Sequence, residues 1–201
     1  MIRIVVADDE EMIRTAIVSL LAMEDDLEVV AQADNGSDAV SLVRQHQPEV
    51  VLLDLEMPPT DGIEAATQVL SSVPDTRAVL MTRHARPGVL RRAMAAGITG
   101  FVPKSTSVSR LAEVLRDVAA SRRYVDPELA AQALNADACP LTDRELDALR
   151  LTRTHASVQQ IAETLHLAEG TVRNYLSSAM AKTQSESRHA AAEVAWQQGW
   201  I

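Results

Sequence analysis

The residues of this chain best suited to chemistry stand at the ends of short apolar runs. Asp8–Asp9–Glu10–Glu11 follows Ile2–Ala7, Asp54 follows Val50–Leu53, Thr82 closes Ala78–Met81, and Pro103–Lys104 follows Ile98–Val102. Carboxylates brought together repel one another unless a cation lies among them. Oxygen-only ligands with open positions suit Mg2+, which keeps several waters and shares a substrate phosphate. Such a cation, with the Lys104 ammonium, would neutralise a phosphoryl group moving onto Asp54, and the Thr82 hydroxyl could donate to a phosphoryl oxygen. Singly, each residue has an ordinary use: Asp54 as a turn residue, Asp8 as a helix N-cap, Thr82 as strand filler, Lys104 as a surface charge. Their joint placement at strand ends points to a site.

Placing them together requires a particular set of elements. Val50–Leu53 is a run of four branched apolar residues, the pattern of a strand buried on both faces. Pro58–Pro59 forces a loop soon after it. Strands are expected at Ile2–Ala7, Leu27–Val30, Val50–Asp54, Ala78–Thr82 and Ile98–Val102. Apolar residues at helical spacing predict helices over about Glu11–Met23, Ser37 to Pro48, Ile63–Leu70, Leu90–Ala96 and Val108–Ser121. Five strands alternating with five helices predict a doubly wound parallel sheet. In the flavodoxin-like order 2-1-3-4-5, the first and third strands are neighbours at the switch point, so Asp8, Asp9 and Asp54 converge. Thr82 and Lys104 arrive beside them.

Composition limits the alternatives. The chain has 201 residues, of which 47% are hydrophobic and 23% charged, too apolar for disorder. Aromatic residues are only 2%, so the core must be aliphatic, which favours helices packed on a sheet. A net charge of −9 argues against a protein that coats nucleic acid or anionic membrane along its whole surface. Cys139 is the single cysteine, which excludes an internal disulfide and a cysteine metal cluster. The acids at Asp8–Glu11 do not fit a signal peptide, and no apolar run approaches ~18 residues, so a cytoplasmic protein with no membrane partner is expected.

Over Met1–Ser121 the sequence resembles a bacterial response-regulator receiver domain. The matching pieces are Val6–Ala7–Asp8–Asp9–Glu10, Leu53–Asp54–Leu55–Glu56–Met57–Pro58 with Asp61–Gly62, Thr82, and Gly100–Phe101–Val102–Pro103–Lys104. The resemblance implies that Asp54 accepts phosphate from a sensor histidine kinase. It implies Mg2+ at Asp8, Asp9, Asp54 and the backbone carbonyl of Glu56, and it makes Thr82 and Phe101 the switch pair. Pro59–Thr60 stands where many relatives carry Gly-Met or similar.

Residues 122–139 read as a linker with a short Ala-rich helix, Glu128–Leu134, and Pro140 opens a second, all-helical domain over 140–201. Thr142 with Glu145 three residues on is a capping-box pattern, and Leu146, Leu149 and Leu151 make an apolar stripe. Ser157 caps a helix over Val158–Leu165; after the turn His166–Ala168, a third helix runs from Glu169 to about Lys182. A last helix spans roughly Ser187–Gln198. Two short helices joined by three residues fit a helix-turn-helix whose second helix enters the major groove. Thr171, Arg173, Asn174 and Ser177 then face outward, with Lys182 at the helix end, as candidate DNA contacts. Trp196 and Trp200 either cap the small core or form a dimer face.

Leu141–Glu145, Ile161–Ala162, Leu167 and Gly170–Leu176 resemble the LuxR/FixJ-type DNA-binding domain, so the whole chain resembles a NarL/FixJ-family response regulator. Thr171–Thr183 is most similar to the lipid-desaturase thermosensor regulators of that family. Val158–Gln159–Gln160 stands where Asn-Lys-Glu is common, His155 where glycine is usual, Ala168 in place of a capping serine, and Gln184–Glu186 lacks the usual glycine and basic residue. From Pro140 onward six basic residues face seven acidic ones. A domain without a basic excess binds DNA weakly alone, which makes a dimer on paired half-sites more necessary.

The expected function is therefore a transcription regulator, phosphorylated on Asp54, that dimerises and binds promoter DNA, with RNA polymerase a further partner. The competing reading is a receiver-controlled protein-interaction output with weak or lost DNA binding. A Mg2+-dependent phosphatase with an aspartyl nucleophile is a third, disfavoured because no cap domain is evident.

Overall fold

Val50–Leu53 lies at the centre of a parallel sheet, where each of the four side chains is fully buried. The computed structural model describes residues 1–83, 87–134 and 139–201. The chain divides into two compact units, the bulk of the first running from Met1 to Gln132 and that of the second from Ala133 to Ile201. Asn135–Ala138, read as part of the linker, lie outside the described residues.

Up to residue 134 the chain forms β1 (Ile2–Ala7), α1 (Glu11–Leu21), β2 (Leu27–Ala33), α2 (Gly36–His46), β3 (Val50–Asp54), α3 (Gly62–Ser72), β4 (Arg77–Thr82), α4 (Pro87–Ala95), β5 (Gly100–Pro103), α5 (Val108–Ala119), β6 (Tyr124–Val125) and α6 (Pro127–Leu134). The strands order β2-β1-β3-β4-β5-β6, all parallel. The expected 2-1-3-4-5 order stands, but among the described residues the sheet has six strands instead of five. Tyr124 and Val125 pair with Gly100 and Phe101. Two residues are too few to carry a strand periodicity, so their extension is set by the edge of β5. The sheet thus continues past Ser121, into the stretch read as linker.

Register explains the convergence of strand ends. Ala7 lies opposite Leu53, Asp54 opposite Met81, and Thr82 opposite Pro103. Each strand therefore delivers its next residue to the same rim. On one face, Ile4, Val6, Leu52, Val79 and Val102 pack with the buried stripe Leu111, Ala112, Val114, Leu115 and Val118 of α5. Burial of this stripe, at roughly 25 cal/mol per Å2 of apolar surface, anchors α5 to the sheet.

The second unit contains α7 (Asp143–Arg153), α8 (Val158–Leu165), α9 (Glu169–Lys182) and α10 (Arg188–Gln197). Thr142 and Glu145 form the expected capping box, and Ser157 forms another with Gln160. Leu146, Leu149, Ile161, Val172, Leu176, Ala179, Ala191 and Ala195 make its core. Leu151, expected in the first stripe, is only half-buried. Trp200 joins the core, and Trp196 lies half-buried with the Arg153 guanidinium 3.5 Å from its ring centre. Both tryptophans thus pack against the core.

Candidate functional site

Asp54 ends β3, and the loop behind it is held close by two backbone bonds: Leu55 N–H donates to Met81 O (2.9 Å) and Gly62 N–H to Leu55 O (2.8 Å). Gly62 is required here, because a Cβ at that position would lie 2.1 Å from the Asp54 carbonyl oxygen. The Pro58–Pro59 bond in this loop is cis. Asp8, just past β1, is fully buried, and its Oδ1 accepts from the Glu10 N–H (2.9 Å). Lys104 N–H donates to Thr82 O (2.8 Å), which ties the residue after β5 to the end of β4.

The side chains meet at one point. Lys104 Nζ is 2.8 Å from Asp8 Oδ2, 2.9 Å from Asp54 Oδ2 and 3.0 Å from Glu10 Oε1. The other Glu10 oxygen pairs with Arg83. Thr82 is buried on the same rim, and the Phe101 ring is buried on β5 opposite Leu80. Asp9, Glu10, Asp54, Glu56, Arg83 and Lys104 line a cavity of about 180 Å3. The structure thus gathers Asp8, Asp9, Asp54, Thr82 and Lys104, as sequence reasoning expected, and adds Glu10 and Arg83. Glu10 was visible as part of the acidic run; nothing local to Arg83 distinguishes it from an ordinary surface arginine.

Burial pushes the Asp54 carboxyl up to about 6; the Lys104 ammonium opposes this, the charge of Asp8 reinforces it, and the Glu56 N–H opposes it. Burial works against the charge of Lys104, but Asp8, Asp54 and Glu10 outweigh it and hold the ammonium above the usual lysine range. Lys104 likewise holds the Glu10 carboxyl below its ordinary value, against partial burial and with help from Arg83. The rim is therefore a group of carboxylates gathered on an ammonium.

These residues fit a hard divalent cation. One carboxylate oxygen from each of Asp8, Asp9, Glu10 and Asp54 lies within 4.8 Å of the others. Asp8 Oδ2 is fully buried and, although close to Lys104 Nζ, has no aligned hydrogen bond. An all-oxygen donor set with a buried carboxylate oxygen whose ion-pair partner among the described residues is the Lys104 ammonium is the chemistry such a cation takes.

In the second unit, α8 and α9 are joined by His166–Ala168, with His166 in the left-handed conformation at φ 54°. On α9, Arg173, Asn174 and Ser177 are exposed and Thr171 is half-buried. Ala168 provides no side-chain cap for α9, and Arg173 Nη2 lies 2.5 Å from Glu169. Lys182 is placed differently from the other four candidates. Its Nζ donates to both Glu145 oxygens (2.9 and 2.7 Å), and the Ser178 hydroxyl donates to Glu145 Oε1 (2.5 Å). Burial tends to raise the Glu145 carboxyl, but Lys182, Ser178 and the Thr142 N–H outweigh it and lower it to about 2. The capping-box glutamate thus also fixes α9 against α7, a role that its spacing to Thr142 did not disclose.

Residues 4–116 match the family described as the response regulator receiver domain, and residues 139–195 match bacterial regulatory proteins of the luxR family. Transcriptional regulatory protein DesR of Bacillus subtilis is 38% identical over 201 residues, covering all of both chains, in keeping with the likeness of the third helix of the second domain. The DNA-binding transcriptional activator DevR/DosR of Mycobacterium tuberculosis is 33% identical, over 96% of this chain and 93% of its own. Among solved structures, response regulator ChrA of a heme-sensing two-component system aligns with a TM-score of 0.59 at 28% identity, covering 100% of this chain and 98% of that one. The RcsB–DNA complex aligns with a TM-score of 0.66 over 98% of both chains; at 21% identity it shows the fold. Among the described residues, no helix is long and apolar enough to cross a membrane.

Proposed function

This chain belongs to the response regulators that join a receiver domain to a LuxR-type DNA-binding domain, a family of transcription regulators and not of enzymes, and from that premise we propose how it is switched. Asp54 is the phosphoacceptor. The observation that carries this is the three-way contact of Lys104 with Asp8, Asp54 and Glu10 on a rim shared with Thr82. Asp8, Asp9, Asp54 and the Glu56 carbonyl would hold Mg2+, with Glu10 in reach; the ion supplies charge neutralisation for the incoming phosphoryl group.

An Asp54 oxygen attacks the phosphorus of a phosphohistidine on a sensor kinase. The P–N bond breaks, its electron pair returns to the imidazole, and an aspartyl phosphate forms. Lys104 exchanges its contact with Asp54 for one with a phosphoryl oxygen, and the Thr82 hydroxyl donates to another. Thr82 and Phe101 then move together as the switch, which favours dimerisation and operator binding in the cytoplasm. Thr171, Arg173, Asn174 and Ser177 contact DNA, Lys182 chiefly organises α9 through Glu145, and RNA polymerase is a partner at the promoter. The near balance of six basic and seven acidic residues from Pro140 onward also favours a second reading, a protein-interaction output.

The test is to add Mg2+ and beryllofluoride to the full chain and measure its mass in solution and its binding to promoter fragments. Both increase in the wild type and neither in Asp54→Ala. Absence of both responses in the wild type sinks the proposed switch. Dimerisation without salt-sensitive DNA binding that Arg173→Ala abolishes favours the second reading.

A further inference from the structure

The phosphoacceptor pocket contains a second cation beyond Lys104. Arg83 directly follows Thr82, whose carbonyl is bound by the Lys104 N–H, so its backbone is fixed to the rim. Its guanidinium lines the same 180 Å3 cavity as Asp54 and Lys104 and pairs with Glu10, and the opposite Glu10 oxygen is on Lys104. Glu10 therefore bridges the two cations of the pocket.

Charge makes Arg83 more than a rim ornament. The carboxylates of Asp8, Asp9, Glu10, Asp54 and Glu56 gather around or line the pocket, against two cations among the described residues, Lys104 and Arg83. A phosphoryl group on Asp54 brings further negative charge, and a bound divalent cation with Lys104 leaves the site still acidic. A guanidinium presents two parallel N–H donors that match two phosphoryl oxygens, a geometry that an ammonium does not offer. It also attracts a doubly charged phosphoryl group more strongly than the single charge of Glu10.

Resting on the reading of Asp54 as phosphoacceptor, we propose that Arg83 leaves Glu10 for the phosphoryl group and lengthens the life of the aspartyl phosphate. Loss of the phosphate proceeds by attack of water on phosphorus, with cleavage of the P–O bond to Asp54 and release of inorganic phosphate. Arg83 covers the phosphoryl oxygens on the open side of the pocket and keeps that water out. Glu10 holds the guanidinium in place before phosphorylation and competes for it afterwards.

The experiment uses the full chain loaded with acetyl phosphate and Mg2+. After the donor is removed, phosphorylated protein is followed over time by phosphate-affinity gel and intact mass, and beryllofluoride affinity is measured separately by isothermal titration calorimetry. The half-life should fall about five- to tenfold in Arg83→Ala, with a comparable loss of beryllofluoride affinity, less in Arg83→Lys, and the half-life should rise in Glu10→Gln. A half-life in Arg83→Ala equal to or longer than wild type, with beryllofluoride affinity within about twofold, overturns the role of Arg83 while leaving Asp54 as acceptor. A wild type that gains no more phosphate than Asp54→Ala overturns both.

Discussion

Lys104 shows how far a single residue can govern a site. Its ammonium, 7% exposed, touches three carboxylates, so removing it leaves Asp8 and Asp54 buried without the cation they share. Breaking a buried ion pair from one side is strongly destabilising. Lys104→Met should lower the stability of the first domain by about 3 kcal/mol in the absence of divalent cations, read by urea denaturation followed by circular dichroism. Mg2+ should recover much of that loss, because it replaces the missing positive charge. Recovery no greater than in wild type would mean that the carboxylates do not share a cation. Gly62 acts through space instead of charge: a Cβ there would meet the Asp54 carbonyl at 2.1 Å. Gly62→Ala should cost about 2–4 kcal/mol and slow acquisition of phosphate, whereas an unchanged urea midpoint would show that the loop yields freely.

At the scale of elements, the C-terminal helices depend on a polar contact as well as on their aliphatic core. Glu145 caps α7 through Thr142 and reaches Ser178 and Lys182 on α9. Its folded-state value, about 2, lies below the ordinary 4.5, so its contribution is fully present above pH 4.5 and is lost as pH falls toward 2. The wild-type domain should therefore lose about 2–3 kcal/mol between pH 5 and pH 2 from this group. Glu145→Gln should be less stable at pH 7 and should lack that part of the acid sensitivity. Trp196 and Trp200 are the two tryptophans of the chain, so tryptophan fluorescence reports the unfolding of this domain selectively. Parallel pH profiles for the two proteins would rule out the Glu145 contribution.

At the scale of the whole molecule, a receiver domain is joined to a DNA-binding domain that has no excess of positive charge. Affinity for phosphate-rich DNA scales with the number of phosphates neutralised. With six basic residues in this domain, four of them paired with Asp147, Glu169 and Glu145, each protomer should neutralise few phosphates. The logarithmic salt slope should be shallow, below about 4 per protomer, and a single half-site should bind far more weakly than a pair. A steep slope on a single half-site, measured by fluorescence anisotropy, would show that monomer contacts suffice. On the proposed switch, dimerisation would couple the two domains, because two weak half-site contacts add in free energy.

Much of this molecule was determined by local pattern. The run Val50–Leu53 is a doubly buried strand in any context that folds it, and the acids, hydroxyl and lysine fall at strand ends whose parallel order follows from five alternating units. Capping residues at Thr142, Ser157 and Ser187 mark their helices because each bonds within three residues along the chain. The tertiary structure decided what depends on residues far apart in sequence. The sixth strand exists because β5 offers it an edge. Glu10 and Arg83, 73 residues apart, meet only when β1 and β4 end on the same rim. Lys182 turns to Glu145 because α7 and α9 pack together, and no periodicity along either helix carries that pairing. Local bonding rules act within a few residues, whereas electrostatic partners are chosen by distance in space.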